Sequence, residues 1–336
     1  MAGNRTIRRA LESAGLLKRT RPAEALGRES SHDIAKAMPG EFADRSFSNS
    51  SGTRSYKLYV PTTYLGKRMP LIVMLHGCTQ DPTDFAAGTG MNQLADQHGF
   101  LVVYPAQSAA ANGMKCWNWF NENDQQRDGV EPSLIAGITR EVAAQYNVDA
   151  RRIFVAGLSA GASMAVIMGA TYPDLFTAVG AHSGLPYRAA HDVSSALAAM
   201  RAGRAQQLRH TNPPARDSTQ PAAATLVPTI VFHGDNDKTV NSDNGADIVE
   251  QFVSKAASLR IPFKRTTHER RAVNGREFTT TCYGDASEPP ALEYWVLHGA
   301  GHAWSGGFAD GSHTEESGPS ASAEMVRFFF AQKKQV

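Results

Sequence analysis

The pentapeptide Gly157-Leu158-Ser159-Ala160-Gly161 constrains this chain more than any other stretch. It follows directly on the β-branched and aromatic run Arg152-Ile153-Phe154-Val155-Ala156. It precedes a helix-forming run, Ala162-Ser163-Met164-Ala165-Val166-Ile167-Met168. A strand that stops at a serine between small residues and turns at once into a helix is the nucleophile-elbow pattern. A serine hydroxyl is a poor nucleophile until it is held exposed beside a base. The tight turn supplies the exposure, and it tolerates no bulk two residues to either side, where Gly157 and Gly161 stand.

The elbow sits within a longer alternation. Tyr56–Val60 alternates like a strand and ends at Pro61, while Leu71–Leu75 and Leu101–Tyr104 are continuous apolar runs suited to strands covered on both faces. Helical patterns over 92–98 and 132–146 separate these runs and lead into the elbow strand. Strands over 178–182, 229–232 and 292–297 follow, with helices over 244–257 and 321–332. Strand and helix in turn predict an α/β architecture, a mostly parallel central sheet with helices on both faces. At 336 residues and 42% hydrophobic content the chain can bury one large core, and its single series of elements favours one domain. Residues 184–227, between two strands, are too long for a simple connection and are a candidate lid insertion.

Charge sets off the N-terminus. Residues 1–28 carry seven Arg or Lys against two Glu, so a local charge of +5 stands within a net charge of +2. Residues 29–52 read as mostly irregular, with regular structure beginning near Arg54. The division is a basic leader over 1–40, flexible or helical, and a catalytic domain over 41–336. The net charge offers no field that argues for nucleic acid. No apolar run reaches the roughly 18 to 20 residues of a membrane span, and the start of the chain has no signal-peptide pattern. The chain therefore reads as cytoplasmic, secretion by a route not legible here being the alternative. Its three cysteines, Cys78, Cys116 and Cys282, allow one disulfide plus a thiol, and no Cys/His cluster marks a metal site.

A nucleophilic serine needs a base and an acid, which in this architecture follow it in the order Ser, Asp or Glu, His. The strand ending at Phe232 runs into His233-Gly234-Asp235-Asn236-Asp237, carboxylates at a strand's C-terminal end, where sites in such sheets gather. Asp237 is the predicted acid, with Asp235 as the runner-up. The last strand leads to Gly299-Ala300-Gly301-His302, and His302 is the predicted base. The oxyanion donors are the backbone N–H groups of Ala160, after the nucleophile, and of Cys78, in the loop His76-Gly77-Cys78-Thr79-Gln80. His76 itself reads as a loop-shaping residue. No metal or organic cofactor is implied.

The motifs HGCTQ (76–80), NQLAD (92–96), YPAQS (104–108), CWNWF (116–120), GLSAGASM (157–164), HSGLPY (182–187), HGDNDKTV (233–240) and GHAWSGG (301–307) resemble the poly(3-hydroxybutyrate) depolymerase family of esterases. That family is related to feruloyl and acetylxylan esterases of the α/β-hydrolase fold. The resemblance covers about residues 40–332. It implies Ser159 as nucleophile, Asp237 as acid, His302 as base and Cys78 in the oxyanion loop, in agreement with the spacing. It also makes Cys78 with Cys116 a candidate disulfide and Trp117, Trp119 and Trp304 candidate walls of an acyl pocket. The activity it implies is serine ester hydrolysis through an acyl-enzyme, with a short-chain or 3-hydroxyalkanoate ester as partner; the alternatives are a feruloyl or acetylxylan esterase and, in another class, a non-catalytic binding protein on the hydrolase fold. Secreted polymer-degrading members carry a signal peptide and a polymer-binding module, which this sequence does not display, so a soluble ester or oligomer is the expected substrate.

Overall fold

A computed structural model describes residues 40–207, 225–262, 264–271, 275–285 and 288–332. Residues 1–39, nearly all of the basic leader, and 208–224, the Pro-rich half of the candidate lid, lie outside the described residues.

Ten strands form one sheet: β1 (Phe42–Asn49), β2 (Gly52–Tyr59), β3 (Met69–Leu75), β4 (Leu101–Pro105), β5 (Val148–Leu158), β6 (Ala178–His182), β7 (Thr229–Gly234), β8 (Lys264–Arg271), β9 (Glu277–Gly284) and β10 (Leu292–Leu297). Their order is β1-β2-β4-β3-β5-β6-β7-β10-β9-β8. The inner six, from β4 to β10, run parallel, and an antiparallel pair closes each edge. Every residue of β3, β4, β6 and β7 is buried, which is why these strands read as unbroken apolar runs.

The pleat sends alternate side chains to opposite faces. Leu71, Val73, Leu75 and Val155 pack with Ile135 and Ile138 of helix α3 (Val130–Gln145) and Met164 and Met168 of helix α4 (Ala160–Thr171). Ile72, Met74, Phe154 and Ala156 face the other way, against Met325, Phe328 and Phe329 of helix α7 (Ala321–Ala331). Phe154 and Phe329 stack with centroids 4.9 Å apart.

Two regions differ from the sequence reading. Residues 42–49 form an edge strand rather than an irregular approach, with Phe42 paired to Tyr59 and Asn49 to Gly52. Its alternation is hard to see because an edge strand buries so little: of its eight residues only Ala43 is buried. Strands β8 and β9 were not expected either. Lys264–Arg271 is almost wholly polar, and pairing to β9 defines it as a strand. The run Phe278-Thr279-Thr280-Thr281 in β9 carried a legible β-branched signal.

Candidate active site

Strand β5 delivers Ser159 to the C-terminal edge of the sheet, where α4 begins. Ser159 has φ 57° and ψ −119°, a left-handed backbone that a non-glycine residue adopts only under constraint. Its N–H donates to the His182 carbonyl at 2.9 Å, and its own carbonyl receives the Ser163 N–H at 3.0 Å. The small neighbours are required by contact. A Cβ on Gly161 would lie 2.0 Å from the Leu75 carbonyl oxygen, and one on Gly157 would lie 2.4 Å from Gly161.

The loops after β7 and β10 meet beside this elbow. Asp237 Oδ1 accepts the backbone N–H groups of Thr239 at 2.8 Å and Val240 at 2.9 Å, so the carboxylate is held by its own turn. Its Oδ2 lies 2.6 Å from His302 Nδ1 and 3.4 Å from His233 Nε2. Burial pushes the Asp237 carboxyl up, but hydrogen bonding and charge from His233 and His302 outweigh it and hold the group well below the usual carboxylate range. Asp237 is thus ionised in the fold. Asp235 faces elsewhere, bonding His298 Nδ1 at 2.9 Å and the Gly299 N–H at 2.6 Å.

Ser159 and His302 line one cavity together with Gly77, Cys78, Thr79, Gln80, Leu158, Met200, Thr239 and His313. A shared wall rather than a direct hydrogen bond links the serine to the histidine, and such contacts tighten when substrate is engaged. The predicted oxyanion loop borders Ser159, since a Cβ on Gly77 would stand 3.6 Å from Ser159 Cβ. Neither the Cys78 N–H nor the Ala160 N–H has a backbone or side-chain acceptor among the described residues. Ala160 is the first residue of α4, where the helix N-terminus favours negative charge.

Cys78 and Cys116 form a disulfide with Cα atoms 4.2 Å apart, as the resemblance implied. The three tryptophans expected at an acyl pocket pack into the core. Trp117 and Trp304 are fully buried and Trp119 nearly so, and none stands on the cavity wall. Trp117 Nε1 donates to the His76 carbonyl at 3.1 Å, and Trp304 Nε1 to Ser322 Oγ at 3.0 Å, while Trp119 packs edge-on to Phe120. The indole N–H of Trp117 and that of Trp304 thus find their partners inside the core, as buried tryptophans usually do.

Two wall residues went unnoticed in the sequence. His313 belongs to the loop beyond His302 and has φ 53°. Met200 comes from helix α5 (Val193–Gln207) of the candidate lid. That helix is fastened to the segment that follows Asp237: the Asn241 N–H donates to the Met200 carbonyl at 2.7 Å, and Asn244 Nδ2 to the Ala199 carbonyl at 2.9 Å. His182, quoted for its motif alone, supports the site from below. It stacks on Phe232 and Trp304, its Nε2 accepts the Ser305 N–H, and burial with the nearby His233 and His302 pushes it down to about 3.

A parallel sheet with a strand–elbow–helix at its centre and an Asp–His pair at the ends of later strands defines the α/β-hydrolase class. The acetyl xylan esterase from Aspergillus awamori shares this fold, with a TM-score of 0.62 at 19% identity, over 82% of this chain and 94% of that one. The sequence pattern described as Esterase PHB depolymerase matches residues 54–280, more than half of the chain, which therefore belongs to the PHB depolymerase esterase family. Poly(3-hydroxyalkanoate) depolymerase C of Paucimonas lemoignei is 34% identical over 233 residues, 69% of this chain. Feruloyl esterase B of Neurospora crassa is 29% identical over 261 residues, 76% of this chain and 85% of that protein. The chain spans about half the length of the depolymerase, 54%. Among the described residues no helix is long and apolar enough to cross a membrane.

Proposed function

We propose that this protein is a serine carboxylic-ester hydrolase acting through an acyl-enzyme on short-chain or 3-hydroxyalkanoate esters and oligomers. The observation that carries the reading is the Asp237–His302 hydrogen bond on the wall shared with the strained Ser159. Ser159 Oγ attacks the acyl carbonyl carbon while its proton passes to His302 Nε2. The carbonyl oxygen becomes an oxyanion between the Cys78 and Ala160 N–H groups. Collapse of the tetrahedral intermediate breaks the ester C–O bond, and His302 returns the proton to the leaving alcohol. Water then repeats the cycle on the acyl-enzyme. Asp237 accepts the Nδ1–H throughout, fixing the tautomer and stabilising the imidazolium.

The 3-hydroxyalkanoate preference is supported by the family and by the name of the Paucimonas lemoignei relative. The feruloyl esterase supports a feruloyl ester as the second reading. The disulfide beside the oxyanion loop favours work in an oxidising compartment over the cytoplasm. The deciding experiment compares kcat/KM for a soluble 3-hydroxybutyrate trimer and for methyl ferulate, with wild type and Ser159→Ala. Preference for the trimer, lost in the variant, supports the proposal. Preference for ferulate moves the enzyme to the phenolic branch, and equal rates in wild type and variant remove the catalytic assignment.

A further inference from the structure

The two oxyanion donors are aimed by different means. Ala160 N–H opens a twelve-residue helix whose geometry fixes it. Cys78 N–H lies in an irregular loop, so the orientation of the Gly77–Cys78 peptide plane must be set by something else. In a trans peptide the C=O and N–H point in opposite directions, and the described residues contain no cis bond. Whatever holds the Gly77 carbonyl therefore aims the Cys78 N–H.

Gly77 O lies 2.7 Å from His76 Nδ1, with a longer contact of 3.4 Å from the Gln80 N–H. The other ring nitrogen, His76 Nε2, accepts the Gln107 N–H at 3.0 Å. A backbone N–H can only donate, so Nε2 carries no proton and Nδ1 does. The ring is locked as one neutral tautomer, the one that donates to Gly77 O. We propose that His76 is a positioning residue for the oxyanion hole: it holds the Gly77 carbonyl away from the cavity and thereby turns the Cys78 N–H toward the oxygen bound beside Ser159. This deepens the ester-hydrolase reading and rests on it.

A frame around the ring keeps it in place. Gln107 Nε2 donates to the Cys116 carbonyl at 2.9 Å and to the buried carboxylate of Glu131, so the side chain of Gln107 fixes the backbone N–H that meets His76. Cys116 is bonded through sulfur to Cys78, and Trp117 Nε1 donates to the His76 carbonyl. His76 is 1% exposed, and burial pushes its imidazolium down to about 4, so the donor tautomer persists through neutral pH.

The test uses His76→Leu, which removes the donor, and His76→Asn, whose side-chain amide nitrogen sits near the place of Nδ1. Both are checked for wild-type circular dichroism and melting behaviour. The proposal expects His76→Leu to lower kcat about 100-fold with KM within about threefold, the loss typical of one oxyanion donor, and His76→Asn to recover most of it. Unchanged kcat in a folded His76→Leu, or equal losses in the two variants, would overturn the proposal. Ser159→Ala run alongside separates the cases, since turnover surviving that change defeats the esterase reading rather than the role of His76. Nitrogen-15 NMR of the intact wild-type protein supplies a readout independent of turnover. An Nδ1-protonated, Nε2-bare His76 at pH 7 is expected, and a proton on Nε2 overturns the assignment whatever the activity.

Discussion

Asp237–His302 and Asp235–His298 are two pairs of the same residue types, spanning the same two loops after β7 and β10, with similar hydrogen-bond lengths of 2.6 and 2.9 Å. Their surroundings differ. The side chains of the first pair are 0% and 10% exposed and share a wall with Ser159; those of the second are each 41% exposed. His298 spends its second nitrogen on Thr279 Oγ1 at 2.8 Å, which ties the loop to β9. His302 keeps its second nitrogen for the cavity. The exposed pair fastens one loop to the sheet, whereas the buried pair ends at the cavity that Ser159 lines, the setting a catalytic relay requires.

Removing the Ser159 hydroxyl, the proposed nucleophile that the first pair would serve, has the largest expected effect. Ser159→Ala should reduce kcat by about 10⁴-fold or more while the protein remains folded, as steady-state kinetics beside a thermal melt would record. Asp237→Asn should follow with a loss of about 10³- to 10⁴-fold in kcat, because the amide no longer selects the productive tautomer of His302. Asp235→Asn should cost less than about threefold in kcat. Comparable losses in the two asparagine variants would erase the distinction drawn between the pairs.

Acid should sharpen the contrast through stability. His76 and His182 are held down to about 4 and about 3 by burial, whereas the unfolded chain protonates them near an ordinary value of about 6.5. A depressed value means that stability is complete above the unfolded value and declines as pH falls from about 6.5 toward 4 and below. Asp237, also depressed, adds a further loss below the ordinary carboxylate range. Urea unfolding between pH 7.5 and 4.5 should show a decline of up to roughly 1.4 kcal/mol per pH unit for each buried histidine. Asp235→Asn should leave that slope alone, and a flat profile in wild type would show that these rings are not held neutral. The smallest effect belongs to Thr279→Val, which frees His298 Nε2 and should cost less than about 1 kcal/mol with no change in kcat.

Much of this site was legible because the chemistry is local. The elbow is five consecutive residues, and the order Ser159, Asp237, His302 is a linear property of the chain. The continuous apolar runs of β3, β4 and β7 announced buried parallel strands for the same reason. Strand β8 was not legible, because Lys264–Arg271 has no apolar alternation and becomes a strand by pairing with β9. Residues Met200 and His313 were equally silent, since their place on the cavity wall depends on how a distant helix and a distant loop return to the elbow. The burial of the three tryptophans was silent for a related reason, since what covers a large ring is decided by the packed core and not by its neighbours in sequence.

The sequence by itself determined the sheet's central strands, the strained serine between glycines and the residue types available to serve it, because periodicity and tight-turn sterics act over a few neighbours. Tertiary structure alone decided which of two aspartates meets which of two histidines, and which N–H groups remain unpaired beside Ser159. Those choices depend on loops from β3, β7 and β10 converging to within hydrogen-bond range, a distance that no spacing along the chain encodes.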